Sequence, residues 1–133
     1  MPVRAPAQSR RRSLEGAKMK NKVIITAALA GSATMKQQNE AVPYTPEEFA
    51  VEALRCLRAG ASIVHVHARD ISGGGFPTAD VGKIRATVDA IRDWCPGLIV
   101  NMTSAIAAGI PPEKRIAPIV ALKPDMASLN TNS

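Results

Sequence analysis

Short apolar runs alternate with segments of helical spacing along most of this 133-residue chain. Four runs rich in β-branched or other apolar residues stand at residues 23–29, 61–68, 98–104 and 126–130. Apolar residues between the runs recur every three to four positions, as on one face of a helix. Strand–helix units that repeat at roughly this spacing predict parallel strands joined by right-handed crossovers.

Local signals place the ends of the first two helices. Thr45 and Glu48 form a capping box around Pro46, which fits the first helical position, and Gly60 ends the helix. Asp80 is the predicted cap of the second helix.

Two further segments carry breakers of regular structure. Residues 69–78, which contain three successive glycines, are predicted to form a loop. Pro118 is predicted to interrupt the third helical stretch.

Two α/β architectures fit this pattern: a doubly wound open sheet and part of a (β/α)₈ barrel. The strands read as near-continuous apolar runs, as expected when both faces of a parallel sheet are covered. A complete barrel needs eight strands and about 250 residues. On the second architecture, four strands over residues 21–133 make half of a TIM barrel.

The basic charge of the chain is concentrated at its start. Residues 1–20 hold six Lys or Arg and one acidic residue, whereas the other 113 residues hold eleven basic and ten acidic residues. We interpret residues 1–20 as a disordered basic leader. The nearly neutral body, only 3% aromatic over the whole chain, argues against a nucleic-acid partner.

Other functional classes are disfavoured by what the sequence contains. No apolar run approaches the roughly 20 residues that span a bilayer, and the leader has no apolar core of the secretory type. Cys56 and Cys95 stand far apart and outside any CxxC motif. We therefore predict a cytoplasmic protein with reduced thiols and no membrane partner.

Both histidines of the chain lie in the second apolar run, within "SIVHVHARD". Because side chains alternate along a strand, His65 and His67 should share one face, with Val64 and Val66 on the other. Two close imidazoles can share a divalent metal, although a pair of core histidines bonded to backbone carbonyls fits the spacing equally well. Glu40 and Asp70 are the acidic residues nearest in sequence to complete a metal site.

Polar side chains also stand at the ends of the third and fourth strands. Asn101 and Thr103 should share one face, as should Ser128 and Asn130. Active sites of parallel α/β proteins gather at this edge. These side chains are candidates for binding a substrate carbonyl or carboxylate, and the alternative is hydrogen bonding to nearby loops.

The residues that follow the histidines offer weaker signals. Arg69 could pair with an anionic substrate group or with Asp70. The glycines at residues 73–75 could present backbone N–H groups to an anion, or form a flexible loop.

Taken together, these segments resemble the β-keto acid cleavage enzymes, typified by 3-keto-5-aminohexanoate cleavage enzyme. The matching pieces are "KVIITAALAGS", "YTPEEFAVEALRCLRAGASIVHVHARD", "GFPTAD" and "KPDMASLN", in the family's order. The resemblance implies a homo-oligomeric, zinc-dependent (β/α)₈ barrel. Its reaction converts a β-keto acid and acetyl-CoA into acetoacetate and a new acyl-CoA.

By this resemblance, His65 and His67 match the family's two zinc histidines, and Thr103 and Ser128 match hydroxyl residues that bind the substrate. The zinc would act as a Lewis acid on the keto carbonyl. The third zinc ligand, a glutamate, together with the acidic base and an arginine, is expected beyond the end of the chain.

Two positions depart from the family pattern. Ala33 stands where the amino-substrate member has a glutamate for the substrate's amino group, which favours a neutral or apolar acyl chain. Ile106 stands where a substrate-contacting glycine is expected, and its bulk could block backbone approach to the carboxylate.

Three interpretations follow for the chain as a whole. The first is the N-terminal part of a zinc-dependent cleavage enzyme, inactive alone. The second is a non-catalytic remnant or a piece of a split barrel that needs a partner. The third is a small α/β domain that binds a metal or anion without catalysis.

Overall fold

A computed structural model describes residues 22–106 and 109–130. The predicted leader, residues 1–20, lies outside these ranges. In chain order the described residues form β1 (Thr26–Ala28), α1 (Pro46–Arg58), β2 (Ile63–Val66), β3 (Arg69–Asp70), β4 (Phe76–Pro77), α2 (Val81–Trp94), β5 (Ile99–Thr103), α3 (Pro112–Leu122) and β6 (Met126–Ser128). None of the helices in these ranges is both long and apolar enough to cross a membrane.

The main sheet contains β1, β2, β5 and β6, side by side in that order and all parallel. A doubly wound sheet reverses its direction of growth at a switch point, whereas a barrel adds each new strand to the same side. The sequential order confirms the predicted α/β fold and favours the barrel over the doubly wound alternative. The described strands form a four-stranded part of a (β/α)₈ barrel.

The two faces of the main sheet differ sharply in burial. Val64, Val66, Val100 and Met102 face the helices and are at most 3% exposed, because α1 and α2 pack over them. Towards the carboxyl ends of these strands the alternate positions carry the polar side chains of His65, Asn101 and Thr103, which are only partly buried. The apolar core therefore lies between the sheet and its helices, and the opposite face is the one that can hold a site.

The predicted helix starts are confirmed. The Thr45 hydroxyl accepts a hydrogen bond from the Glu48 N–H, and the Glu48 carboxylate accepts one from the Thr45 N–H, both at 3.2 Å. The chain leaves α1 through Gly60, whose φ of +104° favours glycine. Asp80 caps α2 by accepting from the Lys83 N–H at 2.8 Å.

The prediction of a loop over residues 69–78 was wrong in part. Residues at both ends of this segment pair as the antiparallel strands β3 and β4. The turn between them closes when the Gly75 N–H donates to the Asp70 carbonyl at 2.7 Å, and Gly74 and Gly75 both have positive φ. Two-residue strands are too short to produce a periodic signal in the sequence.

Other predicted boundaries were also wrong, and all four strands of the main sheet are shorter than the apolar runs of the sequence. β1 starts at Thr26 rather than at residue 23, and β6 ends at Ser128 rather than at residue 130. Each of these strands pairs on one side only within the described sheet, so fewer residues are held in the ladder. Pro118 lies inside α3 without ending it, because burial of its ring offsets the lost helical hydrogen bond.

The capping box makes a measurable contribution to the start of α1. We expect Thr45→Ala to lower the free energy of unfolding by about 1 kcal/mol, because the Glu48 N–H loses its acceptor. Glu47→Ala changes an exposed residue of the same first turn that is not part of the capping box. This variant should change the free energy of unfolding by only a few tenths of a kcal/mol. Urea denaturation followed by circular dichroism measures both, and equal effects would contradict the cap's role.

Candidate functional site

The two histidines lie together at the carboxyl end of β2. His65 is in the strand and His67 follows its last residue. Their Nε2 atoms are 3.2 Å apart, and the two rings meet nearly edge to face at 76°. The structure thus places both imidazoles on one face of β2, as side-chain alternation predicts. Their role as metal ligands remains a prediction.

Burial determines the charge state of this pair. Burial is the largest cause, and together with the neighbouring His65 and Arg69 charges it lowers the pKa of His67 to about 4. Burial also lowers the pKa of His65, while the adjacent Asn101 side chain partly opposes that shift. Both rings are therefore neutral at pH 7, which is the form of histidine that binds a metal.

The geometry of the pair fits two ligands of one ion. Two nitrogens bound to a tetrahedral zinc at 2.0–2.1 Å lie about 3.3 Å apart, close to the observed separation. The His67 Nδ1 atom is buried and has no hydrogen-bond partner among the described residues. The two Nε2 atoms approach each other at 3.2 Å and are therefore the ring nitrogens placed to share a cation.

Neither acidic residue considered for the third ligand joins the pair. The Asp70 carboxylate accepts from Lys83 Nζ, from Ser72 Oγ at 2.7 Å and from the Gly73 N–H at 3.0 Å. The hydrogen bond from Lys83 is the largest cause that lowers the pKa of Asp70 to about 2. Glu40 is exposed on the loop before α1. Within the described ranges, no group of three His, Cys, Asp or Glu could hold a metal.

A row of polar side chains continues from the histidines across the sheet. His65 is in register with Asn101, and Thr103 is in register with Ser128. The Thr103 and Ser128 hydroxyl oxygens are 3.5 Å apart, and the buried Asn101 Oδ1 has no hydrogen bond of normal geometry. These three side chains therefore share the histidine face of the sheet, where they can bind a ligand's carbonyl or carboxylate.

Asn130 does not belong to this row in the way the sequence predicted. It is exposed and lies two residues past the end of β6, so strand alternation does not fix its direction. Ile106 is buried and lines a narrow cavity together with His67 and Thr103. The bulky side chain of Ile106 is thus next to the candidate site.

The partners of Arg69 were missed by sequence reasoning. Its side chain forms no ion pair with Asp70 but donates to three backbone carbonyls, those of Gly31, Thr34 and Gly75. The glycines at residues 73–75 form the turn between β3 and β4, and the Gly73 N–H is used by Asp70. No local sequence pattern predicts these contacts, because Gly31 and Arg69 are 38 residues apart.

The low pKa of His67 predicts a specific loss of stability in acid. Below pH 6.5 the unfolded chain takes up a proton that folded His67 does not, so stability falls as pH drops from 6.5 towards 4. We expect the metal-free protein to lose about 2 kcal/mol of unfolding free energy between pH 7 and pH 5.

Urea denaturation in the presence of EDTA at these two pH values measures this loss. His67→Gln is the control, and we expect it to remove most of the dependence of stability on pH. Because the chain has two histidines, their NMR signals are easily assigned. A His67 ring signal that titrates near pH 6.5 would refute the burial effect.

Comparisons with known proteins agree with this geometry. The family described as "BKACE: beta-keto acid cleavage enzyme" matches residues 22–133. A 3-keto-5-aminohexanoate cleavage enzyme from Fusobacterium nucleatum subsp. nucleatum is 43% identical over 112 residues, 84% of this chain and 40% of that protein. A 3-oxoadipate:acetyl-CoA acetyltransferase from Cupriavidus necator is 33% identical over 110 residues, 83% of this chain and 37% of that protein.

A solved structure supports the same assignment. ObcA, in a ternary complex with a C4-CoA adduct and oxalate, superposes with a TM-score of 0.56 and 27% identity, over 67% of this chain and 23% of that one. ObcA is a TIM-barrel family member, in agreement with the sequential parallel sheet. The chain spans about 40% of the length of the curated relatives named above. On the match over residues 22–133, this chain belongs to the β-keto acid cleavage enzyme family.

Proposed function

We propose that this chain contributes to a zinc-dependent β-keto acid cleavage reaction that uses acetyl-CoA as co-substrate. The reaction converts a β-keto acid and acetyl-CoA into acetoacetate and a new acyl-CoA. Family membership supports the general chemistry, as does the name of the acetyl-CoA-dependent acetyltransferase relative. The zinc ion and the precise substrate are the finer parts of the proposal.

The observation that carries the proposal is the 3.2 Å separation of the His65 and His67 Nε2 atoms. Neutral imidazoles at this distance, on the open face of a parallel sheet, suit a shared divalent cation. When bound, zinc supplies Lewis-acid polarisation of a carbonyl. The described residues provide two ligands, and any others would come from water or from residues outside the described ranges.

The polar row beside the histidines is proposed to hold the substrate. The Thr103 and Ser128 hydroxyls, 3.5 Å apart, can donate to a carboxylate or carbonyl oxygen. The Asn101 amide lies on the same face, next to His65 in register. We also keep Asn130 as a proposed substrate contact, at the exposed end that follows β6. Fixing the substrate's polar atoms in this row would orient its keto group towards the histidines.

The charge of the surrounding side chains favours a neutral acyl chain. Ala33 is exposed on the loop after β1 and carries no charge. Two basic side chains that contact the loop after β1 or lie in it already have partners, since Arg69 binds backbone carbonyls and Lys36 pairs with Glu48. The described part of the site therefore offers no countercharge to an ionised acyl chain.

The setting of the protein is proposed on similar grounds. Cys56 and Cys95 are free thiols within the described ranges, which fits a reducing cytoplasm. A homo-oligomer remains a prediction of the family resemblance. The small-molecule partners proposed are the β-keto acid and acetyl-CoA.

Removal of either imidazole should abolish the metal site. We expect His65→Ala and His67→Ala each to weaken zinc binding by on the order of 100-fold or more, because two ligands become one. Zinc content after dialysis and competition with a chromogenic chelator measure this effect. In a completed barrel that contains this chain, acetyl-CoA-dependent formation of acetoacetate should fall in parallel.

Cysteine variants provide the matched control for this experiment. Cys56→Ser and Cys95→Ser remove the thiols that could bind zinc adventitiously, and both should retain the wild-type affinity. Unchanged zinc binding in the two histidine variants would show that the ligand assignment is wrong.

A carboxylate at position 33 should change substrate preference. We expect Ala33→Glu to raise kcat/KM for a β-keto acid with an amino group by about tenfold relative to an uncharged analogue of equal length. Ser32→Glu adds the same charge one residue away and should produce no such change. An equal shift in both variants would attribute the effect to net charge rather than to the place of Ala33.

A further inference from the structure

Arg69 is buried, only 3% exposed, and lies two residues after His67. Its Nη2 atom donates to the carbonyls of Gly31 at 2.5 Å and Thr34 at 3.0 Å. Its Nη1 atom donates to the Gly75 carbonyl at 3.1 Å. From β3, two residues after His67, one guanidinium thus joins the loop after β1 to the turn of the β3–β4 hairpin.

An aromatic ring supports this guanidinium. The Tyr44 ring centroid lies 5.5 Å from the Arg69 guanidinium carbon, within the range of a cation–π contact. The Tyr44 hydroxyl accepts a hydrogen bond from the Lys36 N–H at 3.1 Å. A side chain at Gly75 would collide with the same ring, since its Cβ would be 2.0 Å from Tyr44. The ring, the hairpin turn and the loop after β1 therefore pack as one unit.

The segment held by Arg69, residues 31–36, is called here the rim loop. It leaves the sheet beside the histidines, because Ala28 is in register with His65 and the Leu29 N–H donates to the His65 carbonyl at 3.1 Å. Gly75, the other anchor, belongs to the hairpin that follows His67. Both anchored segments stand at the carboxyl edge of the sheet, where the candidate site lies.

We propose that Arg69 is a positioning residue that fixes the rim loop as a rigid wall of the substrate cavity. It acts through the carbonyls of Gly31 and Thr34 and does not contact the substrate. The part of this inference that concerns substrate rests on the proposed function. A lysine cannot replace the planar fork, because a single ammonium on a flexible chain does not reach three carbonyls in these directions.

Amide hydrogen exchange tests the positioning role without any assay of activity. In Arg69→Lys we expect the Lys36 and Gly75 amides to exchange about tenfold faster than in wild type, since their segments lose charge-assisted hydrogen bonds. Core amides of α1 and α2 should change less than about threefold. Arg85→Lys, at an exposed position of α2, is the matched control and should leave both sets unchanged.

The pattern of exchange decides the outcome. Equal acceleration of rim-loop and core amides would mean that Arg69 only adds global stability, and wild-type protection of the rim loop would overturn the proposal directly. If Arg69→Lys fails to fold, Tyr44→Leu tests the same prediction at the Gly75 amide, because it removes the supporting ring and leaves the guanidinium in place. The Lys36 amide is left out of that comparison, since its own acceptor is the Tyr44 hydroxyl.

Kinetics then connect the rim loop to substrate. We expect Arg69→Lys to raise KM for the β-keto acid by about tenfold, with kcat within about threefold and zinc affinity unchanged. An unchanged KM despite a loosened rim loop would overturn the assignment of this loop to the cavity wall. Absence of acyl transfer in a completed barrel that contains the wild-type chain would instead refute the proposed function, and the exchange result would still decide whether Arg69 fixes the loop.

Discussion

The structure depends on the parallel pairing of β2 with β1 on one side and β5 on the other. This double pairing fixes the register of the central strand, and the register fixes which side chains face the helices. Val64 and Val66 are buried beneath α1 and α2, so His65 must face the opposite side. A slip of one residue would exchange the two faces and place imidazoles in the apolar core. Burial of two valines therefore orients the candidate ligands.

The electrostatics of the site follow from that orientation. Partial burial keeps His65 and His67 neutral, and neutral rings can approach within 3.2 Å without charge repulsion. The same register extends the polar face to Asn101 and Thr103 on β5 and to Ser128 on β6. A single set of backbone hydrogen bonds thus aligns the proposed metal ligands with the proposed substrate contacts. The cleavage reaction proposed for this member of the β-keto acid cleavage enzyme family would use this alignment.

Buried charge organises the edge of the sheet around the site. Arg69 has no carboxylate partner among the described residues. Its Nη atoms donate to three backbone carbonyls and the Tyr44 ring lies beside the guanidinium, while its buried Nε has no hydrogen-bond partner among those residues. Removal of a cation from water is costly, so these groups must stay in place while the guanidinium is buried. The requirement links the rim loop and the β3–β4 hairpin to β2. Asp70, the residue that sequence proximity suggests as the partner, is occupied by Lys83 instead.

The sequence by itself determined the features that depend on near neighbours along the chain. Alternation placed His65 and His67 on one face, and the Thr45 capping box marked the start of α1, because both signals act within a few residues. Only the tertiary structure decided the partners of Arg69, whose acceptors are up to 38 residues away. It also decided that α3 continues through Pro118, because the burial that offsets a broken helical hydrogen bond comes from packing. A local sequence pattern carries no information about long-range contacts or burial. For that physical reason these features could be determined only from the folded chain.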